Sequence, residues 1–233
     1  MKEKTKALKA AFPHTIPVLT GFLFLGIAYG ILMNSKGYGV PWTLAFSLFV
    51  FAGASQYAAI PYLTSAFSPI SAFVMALMIN ARHIFYGISL IDKYKNLGVL
   101  KPYCIFSLCD ETFSITYSTK TPKGVDENLF IFFISLLNQS YWVIGSLIGA
   151  SLGYMVSFNI AGLDFVLTAL FLVIFLNQLE VKSNILPSVI GLVASIFSLL
   201  VFGPDNFILP AMGLILILLT IFRKNLEVKQ NAN

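Results

Sequence analysis

Charge is scarce in this chain of 233 residues: Asp, Glu, Lys and Arg make up 11% of it. A soluble domain carries about 25% of these residues. Hydrophobic residues make up 58%, and the mean hydropathy is +0.84. Such a surface would not stay in water, so the composition excludes an ordinary soluble domain. We therefore expect an all-α, polytopic helical protein embedded in a lipid bilayer.

Cysteine and histidine are also rare, with two residues of each. Cys104 and Cys109 are neither spaced as zinc ligands nor placed as a disulfide, so we expect no metal and no cofactor. The chain has no His-Glu-x-x-His, Gly-x-Ser-x-Gly or Walker A motif. We therefore expect no catalytic residue and no enzyme activity. The net charge of +5 does not indicate nucleic acid, because the basic residues cluster at the ends and in short loops.

Long apolar runs are what the chain has instead. A crossing helix needs roughly 20 residues, so this length predicts seven to eight transmembrane segments in one membrane domain, residues 1–233. The first run is too long for a signal peptide, and we expect an uncleaved helix there. The apolar segments cover residues 16–33, 42–63, 70–91, 103–117, 130–156, 165–179, 185–202 and 207–222.

The two halves of the chain, residues 14–92 and 130–203, resemble each other. Within them, residues 43–56 align with residues 165–178. Each of these stretches ends in a polar pair, Ser55-Gln56 in the first half and Asn177-Gln178 in the second. We therefore expect an internal repeat, and transporters built from repeats bind their substrate near the membrane midplane, at the repeat interface.

Two pairs of glycines also occupy matching positions: Gly26 and Gly30 in the first half, Gly145 and Gly149 in the second. Glycines four residues apart allow two helices to approach closely. A bundle this small offers such faces beyond those that one chain needs to fill. We therefore expect the glycine faces to bind another subunit, and a homo-oligomer also stays open.

The basic residues give conflicting evidence about orientation. The basic N-terminus and Arg223-Lys224 both indicate cytoplasmic ends, which requires an even number of crossings. Eight crossings meet this requirement but place Lys93, Lys95 and Lys101 outside. A non-spanning segment around Asp110, or a re-entrant second segment, would satisfy one rule and break another. The sequence leaves the topology open, and with it whether the repeat is parallel or inverted.

Two carboxylates, Asp110 and Glu111, lie inside the fourth apolar segment. A charge at bilayer depth costs about 3 kcal/mol, and such residues usually face a bundle interior or a water-filled cavity. Ser107 and Ser114 recur at helical spacing beside them, which predicts one helix over residues 103–117 with a polar face. The alternative is an amphipathic helix at the interface. Such a helix usually carries Lys or Arg on its polar face, and this face has neither.

A second group of polar residues lies in the third segment: Asn80, Arg82 and His83. At 1.5 Å per residue, Arg82 is about half a bilayer away from Lys93. A guanidinium at that depth needs a partner, and Asp110 or Glu111 can supply it. The alternative is that Arg82 reaches the headgroups along its own stem. His83 is either a proton relay or an ordinary hydrogen-bonded residue.

Small and polar residues interrupt the second segment at Gly53, Ser55 and Gln56, and Pro61 follows. A loosened helix exposes backbone groups, which the membrane tolerates only where they line a cavity. A close helix crossing is the alternative reading. The amide of Gln56 favours the cavity. The polar residues 138–140 form another buried cluster, without an assigned role.

Four short stretches, in this order along the chain, resemble the AzlC family, which includes YgaZ: residues 51–56, 80–83, 110–113 and 162–171. Members of this family are the large subunits of bacterial branched-chain amino acid exporters. The resemblance covers nearly the whole chain. It implies a multi-pass protein of the bacterial inner (cytoplasmic) membrane that exports valine, leucine, isoleucine and analogues such as azaleucine. It also implies a small, hydrophobic, AzlD-like partner subunit.

The implied substrate suits the polar residues. Arg82 or free helix N–H groups can bind the carboxylate of an amino acid, while Asp110, Glu111 or Gln56 can accept from its ammonium group. A branched aliphatic side chain then needs only an apolar pocket. Protonation of Asp110 or Glu111 would couple transport to a proton gradient. Two other classes stay open: a channel-type permease for other small solutes, and a non-transporting membrane scaffold.

Overall fold

The computed structural model describes residues 2–64, 69–155, 185–204 and 207–222, and residues 165, 168–169, 172, 175–176 and 179. Its secondary structure in these ranges is helical, without strands. The chain divides into two compact units, residues 1–167 and 168–233. The helices of the first unit are α1 (Lys2–Ser35), α2 (Val40–Phe49), α3 (Gly53–Thr64), α4 (Pro69–Asn80), α5 (Arg82–Tyr94), α6 (Lys101–Phe106), α7 (Asp110–Ser118) and α8 (Glu127–Met155).

Helices α1 and α8 lie side by side and run in the same direction. At one end, the Lys6 ammonium donates to the carbonyl of Gly124, just before α8, at 2.7 Å. At the other end, Asn34 Nδ2 donates to the carbonyl of Ala150 at 3.3 Å. Both helices are long and apolar enough to cross a bilayer. This parallel pair is the frame against which the shorter helices of the unit pack.

Glycine backbones form the contact between α1 and α8. A Cβ at Gly26 would lie 2.9 Å from the backbone nitrogen of Ser146, and one at Gly145 would lie 2.9 Å from the carbonyl oxygen of Leu23. A Cβ at Gly30 or Gly149 would overlap backbone atoms of the opposite helix outright. The matching glycine pairs therefore pack against each other within one chain. The expectation that they bind a partner subunit is wrong, because these faces are already filled.

Helices α2 and α3 form a hairpin. The helix breaks at Phe51, a buried residue with a φ of 33°, a backbone conformation that a bulky side chain rarely adopts. Tyr38, just before α2, donates from its hydroxyl to the carbonyl of Leu63, near the end of α3, at 2.6 Å. The segment therefore enters and leaves at one end of the unit. The prediction of a single crossing over residues 42–63 is wrong.

Helices α4 and α5 continue one another, with a local break at Ala81. The amide of Ile84 donates to the carbonyl of Ala81 at 3.2 Å, which leaves the Asn80 carbonyl without its usual helical donor. The ring of His83 lies at this carbonyl, with Nδ1 3.1 Å from the oxygen. At 1.5 Å per residue, the two helices together are about 38 Å long, enough to cross a bilayer.

Helices α6 and α7 form a second hairpin, which enters from the opposite end of the unit. The chain leaves α5, makes a 3₁₀ turn at Gly98–Leu100 and starts α6 at once. At the end of α7, the Lys93 ammonium donates to the carbonyls of Thr116 and, at 3.3 Å, of Thr119. Since Lys93 lies in the last turn of α5, α7 returns to the end where α6 began.

The prediction of one helix over residues 103–117 is therefore wrong. The backbone leaves the helical conformation between Ser107 and Cys109, and Cys109 is extended, with a φ of −126° and a ψ of 179°. Ser107 and Ser114 consequently do not share a helical face. Ser107 is fully buried, whereas Ser114 is exposed.

The first hairpin settles one part of the conflict over orientation. Because α2–α3 turns back and α4–α5 then runs the length of the unit, Lys93, Lys95 and Lys101 lie at the same end of the unit as the N-terminus of α1. A hydrogen bond of 3.0 Å between Asn128 Nδ2 and the carbonyl of Asn96 ties this end together. We call it the basic end. Arg223 and Lys224 lie outside the described residues. The predicted count of seven to eight crossings is not confirmed, since two of the predicted segments are hairpins.

The second unit contains α9 (Ile185–Phe202) and α10 (Ile208–Ile221), which pack side by side. A turn at Gly203, with a φ of 74°, separates them. Helix α9 is also long and apolar enough to cross a bilayer. Residues 156–164 and most of residues 166–184 fall outside the described part of the chain. The internal repeat over residues 14–92 and 130–203, and the single domain over residues 1–233, stay predictions.

Candidate functional site

The starts of three short helices meet inside the first unit. Ser55, in the first turn of α3, accepts a hydrogen bond of 2.7 Å from Nδ2 of Asn80, the last residue of α4. Arg82 begins α5 and Asp110 begins α7, and their Nη1 and Oδ2 atoms are 2.8 Å apart. We call these four residues the central polar cluster. It joins the tip of each hairpin to the break between α4 and α5.

The contact between Arg82 and Asp110 confirms the predicted partner of the guanidinium. Each of the two side chains is 30% exposed, so the pair is neither sealed in the core nor fully solvated. Asp110 and Glu111 occupy the first turn of α7, where the helix dipole favours negative charge. The ion pair of Arg82 and Asp110 therefore fixes the positions of both charges and leaves them accessible to a ligand.

Buried amides on α8 link the two hairpins, a role that the sequence analysis did not find. Gln139 accepts from the Tyr103 hydroxyl of α6 at 2.6 Å and donates to the carbonyl of Leu48 in α2 at 3.2 Å. Asn138 donates to Oγ1 of Thr112, in the first turn of α7, at 3.0 Å. The sequence signal that could have found these amides is the 3.6-residue spacing of polar positions along α8, which places them on one helical face.

An aromatic cluster supports the tip of the first hairpin. The rings of Tyr29 in α1 and Trp142 in α8 are stacked, with centroids 5.9 Å apart, and Tyr57 of α3 lies 5.5 Å from Tyr29. A Cβ at Gly53 would lie 3.1 Å from the Trp142 ring, so this glycine lets the tip approach. Gln56 is fully buried here, and the Nε2 and Oε1 atoms of its side chain make no hydrogen bond to the residues that the structure describes.

A cavity of about 260 Å³ lies between α5 and α6 and is open on one side, since Ile91 and Ile105 of its lining are 60% and 53% exposed. Its walls are mainly apolar. His83, which follows Arg82, lines it at one end, and Lys101, at the basic end of the unit, lines it at the other. The apolar lining residues include Leu90, Ile91, Tyr94, Ile105 and Leu108. The cavity therefore runs from the basic end toward the ion pair.

The structure brings together some of the predicted site residues and not others. Ser55, Asn80, Arg82 and Asp110 lie in one cluster, with Glu111 beside them. The His83 ring and the Ser107 hydroxyl contact carbonyls of their own segments, those of Asn80 and, at 2.8 Å, Tyr103. Asn177 and Gln178 lie outside the described residues. A role for any of these side chains in binding or coupling stays a prediction.

This arrangement has a definite chemical character. A guanidinium and a carboxylate lie side by side, an apolar cavity begins next to them, and helix starts surround them. Free N–H groups at helix starts attract anions. No group of three or more His, Cys, Asp or Glu side chains that could hold a metal ion occurs in the described ranges. The site is complementary to a small molecule with opposite charges at one end and an apolar group at the other.

Helices long enough to cross a bilayer, packed with broken helices around a central polar cluster, define a helical membrane protein. Comparison with known proteins identifies the kind. The family model described as AzlC protein matches residues 17–156, more than half of the chain, and the chain belongs to the AzlC family. No solved structure gives a significant match.

Relatives in several bacteria cover nearly the same length. The Branched-chain amino acid transport protein AzlC of Bacillus subtilis is 49% identical over 221 residues, which is 95% of this chain and 87% of that one. An uncharacterized membrane protein of Helicobacter pylori strain 26695 is 41% identical over 227 residues, 97% of this chain and all of its own length. The inner membrane protein YgaZ of Escherichia coli is 27% identical over 179 residues, 73% of each chain.

Proposed function

We propose that this chain exports branched-chain amino acids across the bacterial inner membrane, driven by the proton gradient and acting with a small AzlD-like subunit. The relative in Bacillus subtilis is named for branched-chain amino acid transport. The observation that carries the proposal is the Arg82–Asp110 ion pair at the start of two half-length helices. An amino acid presents the same two charges in one molecule.

In this proposal the substrate exchanges partners with the ion pair. The substrate carboxylate binds the Arg82 guanidinium, and the substrate ammonium binds Asp110. The N–H groups at the starts of α3 and α5 add positive potential for the carboxylate. Without substrate, Arg82 and Asp110 neutralise each other at 2.8 Å. Arg82 and Asp110 therefore each have an oppositely charged partner with and without substrate, which keeps the cost of a buried, unpaired charge low.

Proton coupling in this proposal rests on two consecutive carboxylates. Asp110 and Glu111 share the first turn of α7, close to a single guanidinium. Two negative charges in a medium of low dielectric constant repel each other, so one of the two carboxylates takes up a proton from the outer side once the substrate has left. When the next substrate binds from the cytoplasm, its ammonium group favours the ionised carboxylates, and the proton is released into the cytoplasm. The proton would thus move inward as the amino acid moves outward.

The basic end is consistent with the proposed direction of transport. Lysines flank helix ends on the cytoplasmic side, so we place the basic end in the cytoplasm. The cavity between α5 and α6 begins there, at Lys101, and substrate would enter from that side. The AzlD-like partner rests on the family resemblance alone, since the glycine faces of α1 and α8 are filled within the chain.

Counterflow of labelled valine into membrane vesicles tests the proposal. Vesicles that hold the chain with its small subunit and are loaded with unlabelled valine should accumulate label, and an imposed pH gradient should change the rate. Vesicles with an Arg82→Gln chain give the matched control for leak. Accumulation equal to that control would contradict amino acid transport. Flux that is unchanged after the proton gradient is collapsed would contradict coupling, and flux that also saturates weakly and runs only downhill would favour a channel-type permease.

A further inference from the structure

We infer that the cavity between α5 and α6 holds the aliphatic side chain of the transported amino acid, and that Gly87 sets the largest side chain that fits. This inference rests on the proposed function and adds a specificity determinant to it. It concerns the apolar end of the substrate, whereas the central polar cluster concerns the charged end.

The position of the cavity joins it to the ion pair through both of its walls. On the α5 side, His83 lines the cavity and follows Arg82 directly. On the α6 side, Leu108 lines it and precedes Asp110 by two residues. Neither Arg82 nor Asp110 lines the cavity itself, so the side chain of an amino acid bound between them has to pass His83 and Leu108 to enter the cavity.

The chemistry of the walls selects for hydrocarbon. Leu90 and Tyr94 of α5 and Leu108 at the hairpin tip are buried and belong to one apolar cluster. The two basic residues of the lining, His83 and Lys101, lie at opposite ends of the cavity. A polar side chain would lose hydration along the middle of the cavity without gaining a partner there. An aliphatic side chain gains about fourfold in affinity for each methylene buried.

Gly87 provides the space. It lies in the middle of α5, one turn after His83 and one turn before Ile91, and it lines the cavity. A Cβ built at this position meets no atom within 4 Å, so the absence of a side chain here is not required by packing. A larger residue at position 87 would project into the cavity and shorten it. Leucine also favours a helix more than glycine does, so the substitution should not unfold α5.

The test compares Gly87→Leu with Gly21→Leu in α1, another mid-helix glycine whose Cβ would meet no atom within 4 Å. The affinities of the purified full-length chain for leucine and for alanine are measured from the ligand-dependent rise in unfolding temperature. In the unchanged chain and in Gly21→Leu, leucine should bind up to about 60-fold more tightly than alanine, since it buries three more carbons. In Gly87→Leu this preference should fall below about fourfold, mainly through loss of leucine affinity, and Gly87→Ala should lie between.

The outcomes separate this inference from the proposed function. Equal loss of leucine and alanine affinity in Gly87→Leu, or an unchanged preference, would overturn the inference alone, and would be the result if a lipid acyl chain occupied the cavity. An unchanged chain that binds neither amino acid would overturn the proposed function and the inference with it. Arg82→Gln should weaken leucine and alanine by the same factor, because both share the charged end.

Discussion

The α1–α8 pair and the central polar cluster lie in the same unit but are held together in opposite ways. Between α1 and α8, backbone meets backbone at four glycines, and no side chain can be added without separating the helices. Around the cluster, each connection is a single hydrogen bond or ion pair, such as Asn80 to Ser55 or Arg82 to Asp110. Contacts of the first kind fix a distance, and contacts of the second kind can be exchanged for a ligand. The α1–α8 pair is therefore a rigid frame, whereas the central polar cluster is a site whose internal contacts a ligand can replace.

The largest effect is expected where the frame is broken. Gly149→Ala places a methyl group into the backbone of α1 at Ile27. Neither backbone can move aside without separating the pair, so we expect a loss of about 3 kcal/mol or more and little folded protein in the membrane. Fluorescence-detected size exclusion of a tagged chain measures the folded fraction. Gly21→Ala is the matched control, and a folded fraction for Gly149→Ala equal to that of Gly21→Ala would contradict the close approach.

A smaller effect on the fold, but a large one on transport, is expected at the carboxylates. Asp110→Asn keeps the size of the side chain and removes its charge, and Glu111→Gln does the same one residue later. We expect at least one of them to lower uphill valine export more than about tenfold, with a normal amount of protein in the membrane. Asp92→Asn, at an exposed position in the last turn of α5, is the control. If both variants export valine normally against a gradient, Asp110 and Glu111 contribute only to polar packing.

The smallest of the three effects is expected at the link between the hairpins. Gln139→Leu leaves the Tyr103 hydroxyl and the Leu48 carbonyl without the partners that they have now. A buried polar group without a partner costs about 1–3 kcal/mol, so the unfolding temperature should fall while the chain still folds. Ser140→Ala is the control, because the Ser140 hydroxyl bonds only within α8, to the Leu136 carbonyl. Equal stability of the two variants would show that Gln139 does not hold the hairpins together.

The sequence predicted the membrane class and the chemistry of the site better than the path of the chain. The depth of Arg82 and the scarcity of intramembrane anions predicted its pairing with a carboxylate, because a buried guanidinium has few alternatives. Helical periodicity predicted one helix through residues 103–117 and missed the break, because Ser107 and Cys109 are not strong helix breakers. Periodicity reports which residues share a face only while the helix continues.

The roles of the buried amides and the glycines needed the tertiary structure. Gln139 is one polar residue among several in an apolar helix, and nothing local shows that it bonds α2 and α6 together. The glycine pairs predicted a close helix contact, and that contact exists. The predicted partner was wrong, because the spacing of Gly26 and Gly30 does not say whether the opposite helix belongs to the same chain or to another subunit.

The second hairpin also determines the order in which this protein can be assembled. Helix α7 is about 14 Å long, less than half the length of a crossing helix, and carries two carboxylates at its inner tip. An insertion machinery that releases segments by their hydrophobicity would leave α6 and α7 at the membrane surface. Asp110 meets Arg82 only once α5 is in place, and Thr112 meets Asn138 only once α8 has been made. Asp110 and Glu111 would therefore be the last residues of the site to enter the membrane, after translation of the sequence that follows them.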